Sequence, residues 1–178
     1  MVFENGNLAV RQIVKEDHDV LSKWLSDPRV LQFYEGRDQP FDRSKLEKEF
    51  ISFGDEKTQG LVLYKGMKVG YIQFYQLDKK LKDQYEYVDE VVYGMDQFIG
   101  EVMYWNKGIG TLLVTSMVDY LFEVKCADRV VMDPQVRNER ALRCYEKSGF
   151  RKVKLLPSHE LHEGKFEDCW FMDIQRGK

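Results

Sequence analysis

No stretch of this 178-residue chain is apolar for long enough to span a membrane. Its first residues, Met1 to Asn7, carry neither a basic segment nor an apolar one, so the sequence predicts no signal peptide. Cysteine is scarce. Cys126, Cys144 and Cys169 are too few and too scattered for a disulfide framework or a zinc pattern, and cytoplasm is the expected compartment. An excess of positive charge is also missing: 27 Lys and Arg stand against 30 Asp and Glu, a formal net charge of −3. Nucleic-acid binding needs a basic footprint, so it is not expected. No repeat, linker or low-complexity tract divides the chain. The sharpest absence is local. From Asp83 through Asn106 there is no Lys or Arg, while Asp83, Glu86, Asp89, Glu90, Asp96 and Glu101 all fall in that span. Such a run is either a solvated acidic loop or one wall of a groove for a cation.

What is present suits one globular domain over residues 1–178, because 43% hydrophobic and 32% charged residues exclude a disordered chain. Leu8 to Ile13 alternates apolar and polar side chains, as a strand does. Glu16 and Asp17 open a helix with Val20, Leu21, Trp24 and Leu25 on one face, ended by Asp27-Pro28. Val30 to Asp38 reads as a helical turn running into a loop, and Asp42 to Phe53 as a second helix burying Leu46, Phe50 and Phe53. Gln59 to Tyr64 and Lys68 to Leu77 are strands joined at Lys65-Gly66, a hairpin signal. Asp78 to Tyr87 reads as a loop and Glu90 to Ile99 as the next strand.

A long helical pattern follows (Ile109, Leu112, Leu113, Met117, Tyr120, Leu121, Val124), then a short strand from Arg129 to Asp133 stopped by Pro134. Asn138 opens a last helix that ends at Ser148-Gly149-Phe150. Arg151 to Leu156 and Cys169 to Ile174 are closing strands. The loop between them carries His159, Glu160, His162, Glu163, Glu167 and Asp168. The two histidines with Glu163 lack a third well-spaced ligand, so no metal is expected. The order predicts a mixed α/β (α+β) domain. Its central sheet has about six or seven strands, flanked by about four helices. Ligands of open α/β sheets gather at the carboxyl ends of strands, which places Asp96, the Gly108/Gly110 turn and Asp133 together.

Gly108 and Gly110 stand where the long helix begins. Backbone N–H groups there lack intrahelical acceptors and suit a phosphate, although Gly-x-Gly at a helix start can equally be a tight turn. Two separated segments decide between these. Asn106-Lys107-Gly108-Ile109-Gly110-Thr111 resembles the acetyl-coenzyme A pyrophosphate loop of the GCN5-related N-acetyltransferases (GNAT). Asn138 to Phe150 resembles their Asn-x-x-Ala-x-x-x-Tyr-x-Lys-x-Gly-Phe segment, and one helix and one strand separate the two pieces, as in that family. Trp105 departs from the Arg or Gln usual at its position. Val30 to Asp38, Val92 to Glu101 and His159 to Lys165 further resemble aminoglycoside 6′-N-acetyltransferases. The likeness is closest to the acetyltransferase half of the bifunctional acetyltransferase/phosphotransferase resistance enzymes, and only acetyl transfer is implied.

The resemblance implies a GNAT fold and acetyl transfer from acetyl-coenzyme A to the 6′-amine of an aminoglycoside, conferring resistance to antibiotics such as kanamycin and tobramycin. Another polyamine, sugar amine or protein N-terminus is the alternative acceptor. Asp96 is implied as general base, or only as an anchor for the cation. Tyr145 is implied as general acid toward the leaving thiolate, or only as buried packing. The phosphates are expected on Lys107, Gly108, Ile109, Gly110 and Thr111, and the pantetheine arm along Phe98, Ile99 and Gly100. Asn138 either contacts that arm or caps its helix. An oxyanion donor is implied near Gln97 or Phe98. A polycationic sugar calls for carboxylates and aromatic faces. Tyr34, Trp105, Asp133, Glu163 and Asp168 are the candidates beside Asp96. Neither a membrane nor a nucleic acid is an expected partner, and the assembly is a monomer or a homodimer.

Overall fold

The structure is a computed structural model that describes residues 1–42, 44–46, 48 and 57–177. Its strands are β1 (Phe3–Asn5), β2 (Leu8–Gln12), β3 (Thr58–Tyr64), β4 (Met67–Gln76), β5 (Val92–Ile99), β6 (Arg129–Met132), β7 (Arg151–His162) and β8 (Lys165–Gln175). They form one sheet in the order β1-β2-β3-β4-β5-β6-β8-β7, antiparallel except for the parallel pair β5–β6. The added strand is β1, too short to stand out by periodicity. The helices with described bounds are α1 (His18–Trp24), α2 (Pro28–Leu31), α3 (Lys79–Gln84), α4 (Ile109–Glu123) and α5 (Glu139–Lys147). Ser44, Lys45, Leu46 and Lys48 are also helical, and Leu46 is buried as expected. Phe50 and Phe53 lie outside the described residues.

Two expectations are corrected. Lys79–Gln84 is a helix, not a loop, capped by the Asp78 carboxylate, which accepts from Leu81 N–H at 2.8 Å. Residues 157–168 are not a loop either. β7 and β8 run on to a turn at Glu163-Gly164, where both residues take positive φ. Pro157 suggests a strand end, but β7 lies at the sheet edge. Register shifts between Lys152/Lys154 and Leu156/Glu160 absorb the irregularity. Elsewhere the local signals hold: Lys65 and Gly66 both take positive φ in the β3–β4 hairpin turn.

One face of the sheet is covered by α4 and α5. Leu113, Met117 and Leu121 pack there with Leu142, Tyr145 and Met95. Two separate clusters cover the other face, one around Trp24, Leu31 and Tyr71 and one around Val131, Leu156 and Phe171.

The feature that positions the site is a divergence between β5 and β6. They pair only from Val92↔Arg129 to Gly94↔Val131. Beyond that, β5 stays with β4 as far as Gly70↔Ile99. The chain after β6 instead follows β8: Trp170 N–H donates to Pro134 O at 2.9 Å, and Val136 N–H to Asp168 O at 2.8 Å. Each strand keeps the neighbour that satisfies its backbone. The β6-side edge of Met95–Ile99 is therefore left open.

Candidate active site

Two cavities meet at this divergence, and their charges are opposite. One, about 350 Å³, lies between the end of β5, the loop into α4, and α5. Its charged lining among the described residues is Arg29, Arg140, Arg143 and Lys147, with no carboxylate. The other, about 370 Å³, is floored by Gln73, Tyr75 and Asp96. Its charged lining among the described residues is Glu35, Asp96, Asp133 and Glu160, with no Lys or Arg. Phe33, Tyr34, Gln97, Asn138 and Tyr145 line both cavities.

The basic cavity is built around the start of α4. Gly108 takes φ +79°, which turns the chain into the helix, and a Cβ there would meet nothing within 4 Å. The first N–H groups of α4 lack intrahelical acceptors, so the loop presents donors to an open, cationic space. Gly108, Gly110 and Thr111 line it, as do Phe98, Ile99 and Asn138. Three of the expected cofactor residues do not. Ile109 is buried in the core. Lys107 points toward the Tyr104 ring at 5.7 Å. Gly100 donates its N–H to Val69 O at 2.9 Å and has the Trp24 ring against it. Asn138 is the cap of α5, its side chain accepting from Ala141 N–H at 3.2 Å.

The acidic cavity holds Asp96, which faces Gln73 across the β4–β5 ladder and accepts from Gln73 Nε2 at 2.8 Å. Burial pushes the Asp96 carboxyl up to about 6. The Gln73 hydrogen bond opposes that rise, and the charge of Asp133 adds to it. Tyr145 approaches from the α5 side. Its hydroxyl accepts from Gln97 Nε2 at 2.7 Å, and burial raises its pKa well above the ordinary value. It is therefore a protonated phenol whose hydrogen is available to another acceptor. Asp96 and Gln97 are successive residues of one strand and point to opposite faces. The carboxylate and the phenol thus reach the gap from opposite sides of the sheet.

The expected substrate residues divide. Tyr34, Asp96 and Asp133 line the acidic cavity. Trp105 lies in the basic one, its Nε1 donating to Ile99 O at 2.7 Å and its face covered by Arg140 at 3.8 Å. Glu163 and Asp168 line neither cavity. Glu163 is held by Arg37 at 2.7 Å and lowered to about 2 by that pairing, and Asp168 accepts from Ser158 N–H at 2.8 Å. The acidic run behaves in the same way. Glu90 pairs with Arg129 at 2.6 Å and Glu101 with Lys23 at 2.6 Å, so within that run only Asp96 faces the acidic cavity. Gln73, Tyr75 and Gln135 join the site with no motif to announce them, and Glu35 and Glu160 join it from two of the segments that carry the resemblance, although neither stands among the candidates. His159 Nε2 meets Asp133 Oδ2 at 2.9 Å, and among the described residues no three His, Cys, Asp or Glu converge as metal ligands.

Residues 14–157 match the family described as Acetyltransferase (GNAT) domain. The chain belongs to this acetyltransferase family. It is an acetyl-coenzyme A-dependent N-acetyltransferase of GNAT fold. The acetyltransferase is 27% identical over 152 residues to aminoglycoside N(6′)-acetyltransferase type 1 of Klebsiella pneumoniae, covering 83% of this chain and 76% of that one. Its fold is similar to aminoglycoside acetyltransferase AAC(6′)-Ib solved with coenzyme A and kanamycin. The TM-score is 0.71 at 23% identity, with 95% of each chain covered. It is also similar to spermidine N-acetyltransferase of Vibrio cholerae solved with coenzyme A and spermine, with TM-score 0.79, 16% identity and 96% of each chain covered. Among the described residues no helix is long and apolar enough to cross a membrane.

Proposed function

We propose that this acetyltransferase, acting as one catalytic domain, moves the acetyl group of acetyl-coenzyme A to the 6′-amine of aminoglycosides and so confers resistance to them, kanamycin and tobramycin included. The observation that carries the reading is the pair of oppositely charged cavities sharing Tyr145. An anionic phosphate-bearing donor suits the basic cavity, and a polycationic acceptor suits the acidic one. Aminoglycoside acetyltransferases among the relatives support the substrate class. Three free thiols and dependence on acetyl-coenzyme A support a cytoplasmic site of action.

In this reading the pyrophosphate rests on the N–H groups from Gly108 to Thr111, with Arg140, Arg143 and Lys147 supplying charge. The pantetheine arm runs along the open edge of β5, past Phe98 and Ile99 and beside Asn138. Of Gln97 and Phe98, Gln97 is the one whose N–H is directed to that edge, since Val92 and Gly100, in phase with Phe98, bond to the β4 side, and it donates to the oxyanion. Asp96 holds the ammonium of the acceptor and takes its proton, directly or through one water, as the nitrogen attacks the thioester carbon. A carboxyl raised to about 6 is still ionised at neutral pH and accepts a proton more readily than one near 4. When the carbon–sulfur bond breaks, the Tyr145 hydroxyl donates its proton to the thiolate. Asp133, Glu160 and Glu35 are placed to hold the other ammonium groups, with Tyr34 as an aromatic wall.

Spermidine N-acetyltransferase shares the fold, and an acidic cavity also suits a polyamine. Thiol release from acetyl-coenzyme A separates the two. The aminoglycoside reading expects turnover with neomycin, which carries a 6′-amine, and none with paromomycin, which carries a 6′-hydroxyl. Equal rates with both, or turnover with spermidine alone, would overturn it.

A further inference from the structure

We propose that Tyr71 and Gln73 are positioning residues for acetyl transfer, holding Asp96 with one oxygen engaged and the other turned toward the acceptor amine. The inference rests on the reading that Asp96 receives the amine. The geometry is a chain of two hydrogen bonds along the β4–β5 ladder. The Tyr71 hydroxyl donates to Gln73 Oε1 at 2.9 Å, and Gln73 Nε2 donates to Asp96 Oδ2 at 2.8 Å. Gln73 lies directly opposite Asp96, so that link is set by strand register, whereas Tyr71 stands two residues before Gln73 on the same face of β4.

Each link has a physical task. An amide side chain has a donor end and an acceptor end of nearly the same shape, and a half turn exchanges them. With its oxygen toward Asp96, Gln73 would repel the carboxylate. The Tyr71 hydroxyl also bonds with Gln59 and Tyr34, and its donation to Gln73 Oε1 favours the orientation with the amide nitrogen toward Asp96. Tyr71 cannot move to follow a flipped amide, because it is 1% exposed and its ring stacks on Phe98 with centroids 5.4 Å apart and meets Tyr34 edge-on.

Restraint matters here because the surroundings work against a well-placed, ionised Asp96. Asp133 after β6 and Glu160 on β7 both disfavour its charge, while Lys57 before β3 favours it. Glu35 after α2 and His159 on β7 share the cavity. The donated Gln73 hydrogen bond is the largest contribution holding the carboxyl down against burial. Neither Tyr71 nor Gln73 lines the cofactor cavity.

The test is the pH dependence of neomycin acetylation by wild type, Gln73→Leu and Tyr71→Phe. It is paired with a carbon-13 NMR titration of the Asp96 carboxyl in each protein without substrate. Gln73→Leu should raise the Asp96 midpoint and the acid limb of kcat/KM by about one unit, since a hydrogen bond to the ionised form is lost. Tyr71→Phe should move both in the same direction by about half as much. In each variant kcat should fall about tenfold while KM for acetyl-coenzyme A stays within about twofold. A merely structural role would lower activity without moving the midpoint. An unchanged midpoint in the folded variants overturns the proposal, and Tyr71→Phe decides it if Gln73→Leu does not fold. A wild type inert toward neomycin would count against the proposed substrate, with the NMR midpoints still deciding this relay.

Discussion

Gln97 Nε2 donates to the Tyr145 hydroxyl at 2.7 Å, between β5 and α5, at the boundary of two cavities of opposite charge. The amide fills an acceptor position on the phenol oxygen and leaves its proton for another group. Gln97 Oε1 is buried without a hydrogen-bond partner among the described residues, so this one bond anchors the amide.

Tyr145→Phe removes both a proton donor and the acceptor of Gln97. We expect kcat to fall by about ten- to a hundredfold, because a coenzyme A thiolate is a competent leaving group even without protonation. Stability should also fall, by about 1–3 kcal/mol, because the Gln97 amide would then be buried with neither end paired. Steady-state kinetics and urea denaturation check the two effects separately.

With Asp96 as the proposed base, its titration should govern both the pH profile and a cost in stability. The acid limb of kcat/KM should lie near 6, where its carboxyl titrates. Its folded pKa lies above the unfolded value of about 3.9, so the folded state holds the proton more tightly. The stability this provides is full below the unfolded value and is lost as pH rises through about 6. Asp96→Asn should therefore melt a few degrees higher than wild type at pH 7, and not at pH 4, while losing about a hundredfold or more in turnover. Acetyl-coenzyme A binding by calorimetry should be unchanged.

Gly108 and Gly110 should separate stability from affinity. Gly108→Ala meets no neighbour, but its φ of +79° imposes about 1 kcal/mol of strain. Gly110→Ala sits in the helix with its Cβ 3.5 Å from Cys144 Sγ, an ordinary contact, and should stabilise by about 0.5–1 kcal/mol. Both should raise KM for acetyl-coenzyme A, because both positions line the cavity. Opposite shifts in melting temperature with the same direction in KM is the expected result.

Gly100→Ala is a test of packing alone. A Cβ there would lie 2.2 Å from the Trp24 ring, which is 1% exposed and tied by Nε1 to Glu101 at 2.9 Å. Overpacking should cost about 2–3 kcal/mol in urea denaturation, with KM for both substrates little changed at temperatures where the variant is folded.

The acidic residues should rank by cavity rather than by sequence. Glu160→Gln is expected to raise KM for neomycin about tenfold, as the loss of a charge-assisted contact would. Asp168→Asn should leave it within about twofold, because that carboxylate faces Ser158 instead of the cavity.

The sequence by itself determined the parts of this protein whose physics is local. A glycine pair before an apolar helix, a glycine hairpin turn and an Asn cap each depend on a few neighbouring residues, and each is in place. Asp96 was legible too, as a carboxylate near the end of a strand that leads into the glycine loop. Tertiary structure decided what depends on pairing across the chain. Which acids face the cavity was invisible, because the cations that hold Glu90, Glu101 and Glu163 elsewhere come from distant segments. The Trp105 face was equally undecided until α5 laid Arg140 over it. The gap between β5 and β6 exists because each strand keeps a different partner, and a choice of partner leaves no mark in either strand's own residues. Gln73 carries no motif; only the register of β4 against β5 brings its amide to Asp96.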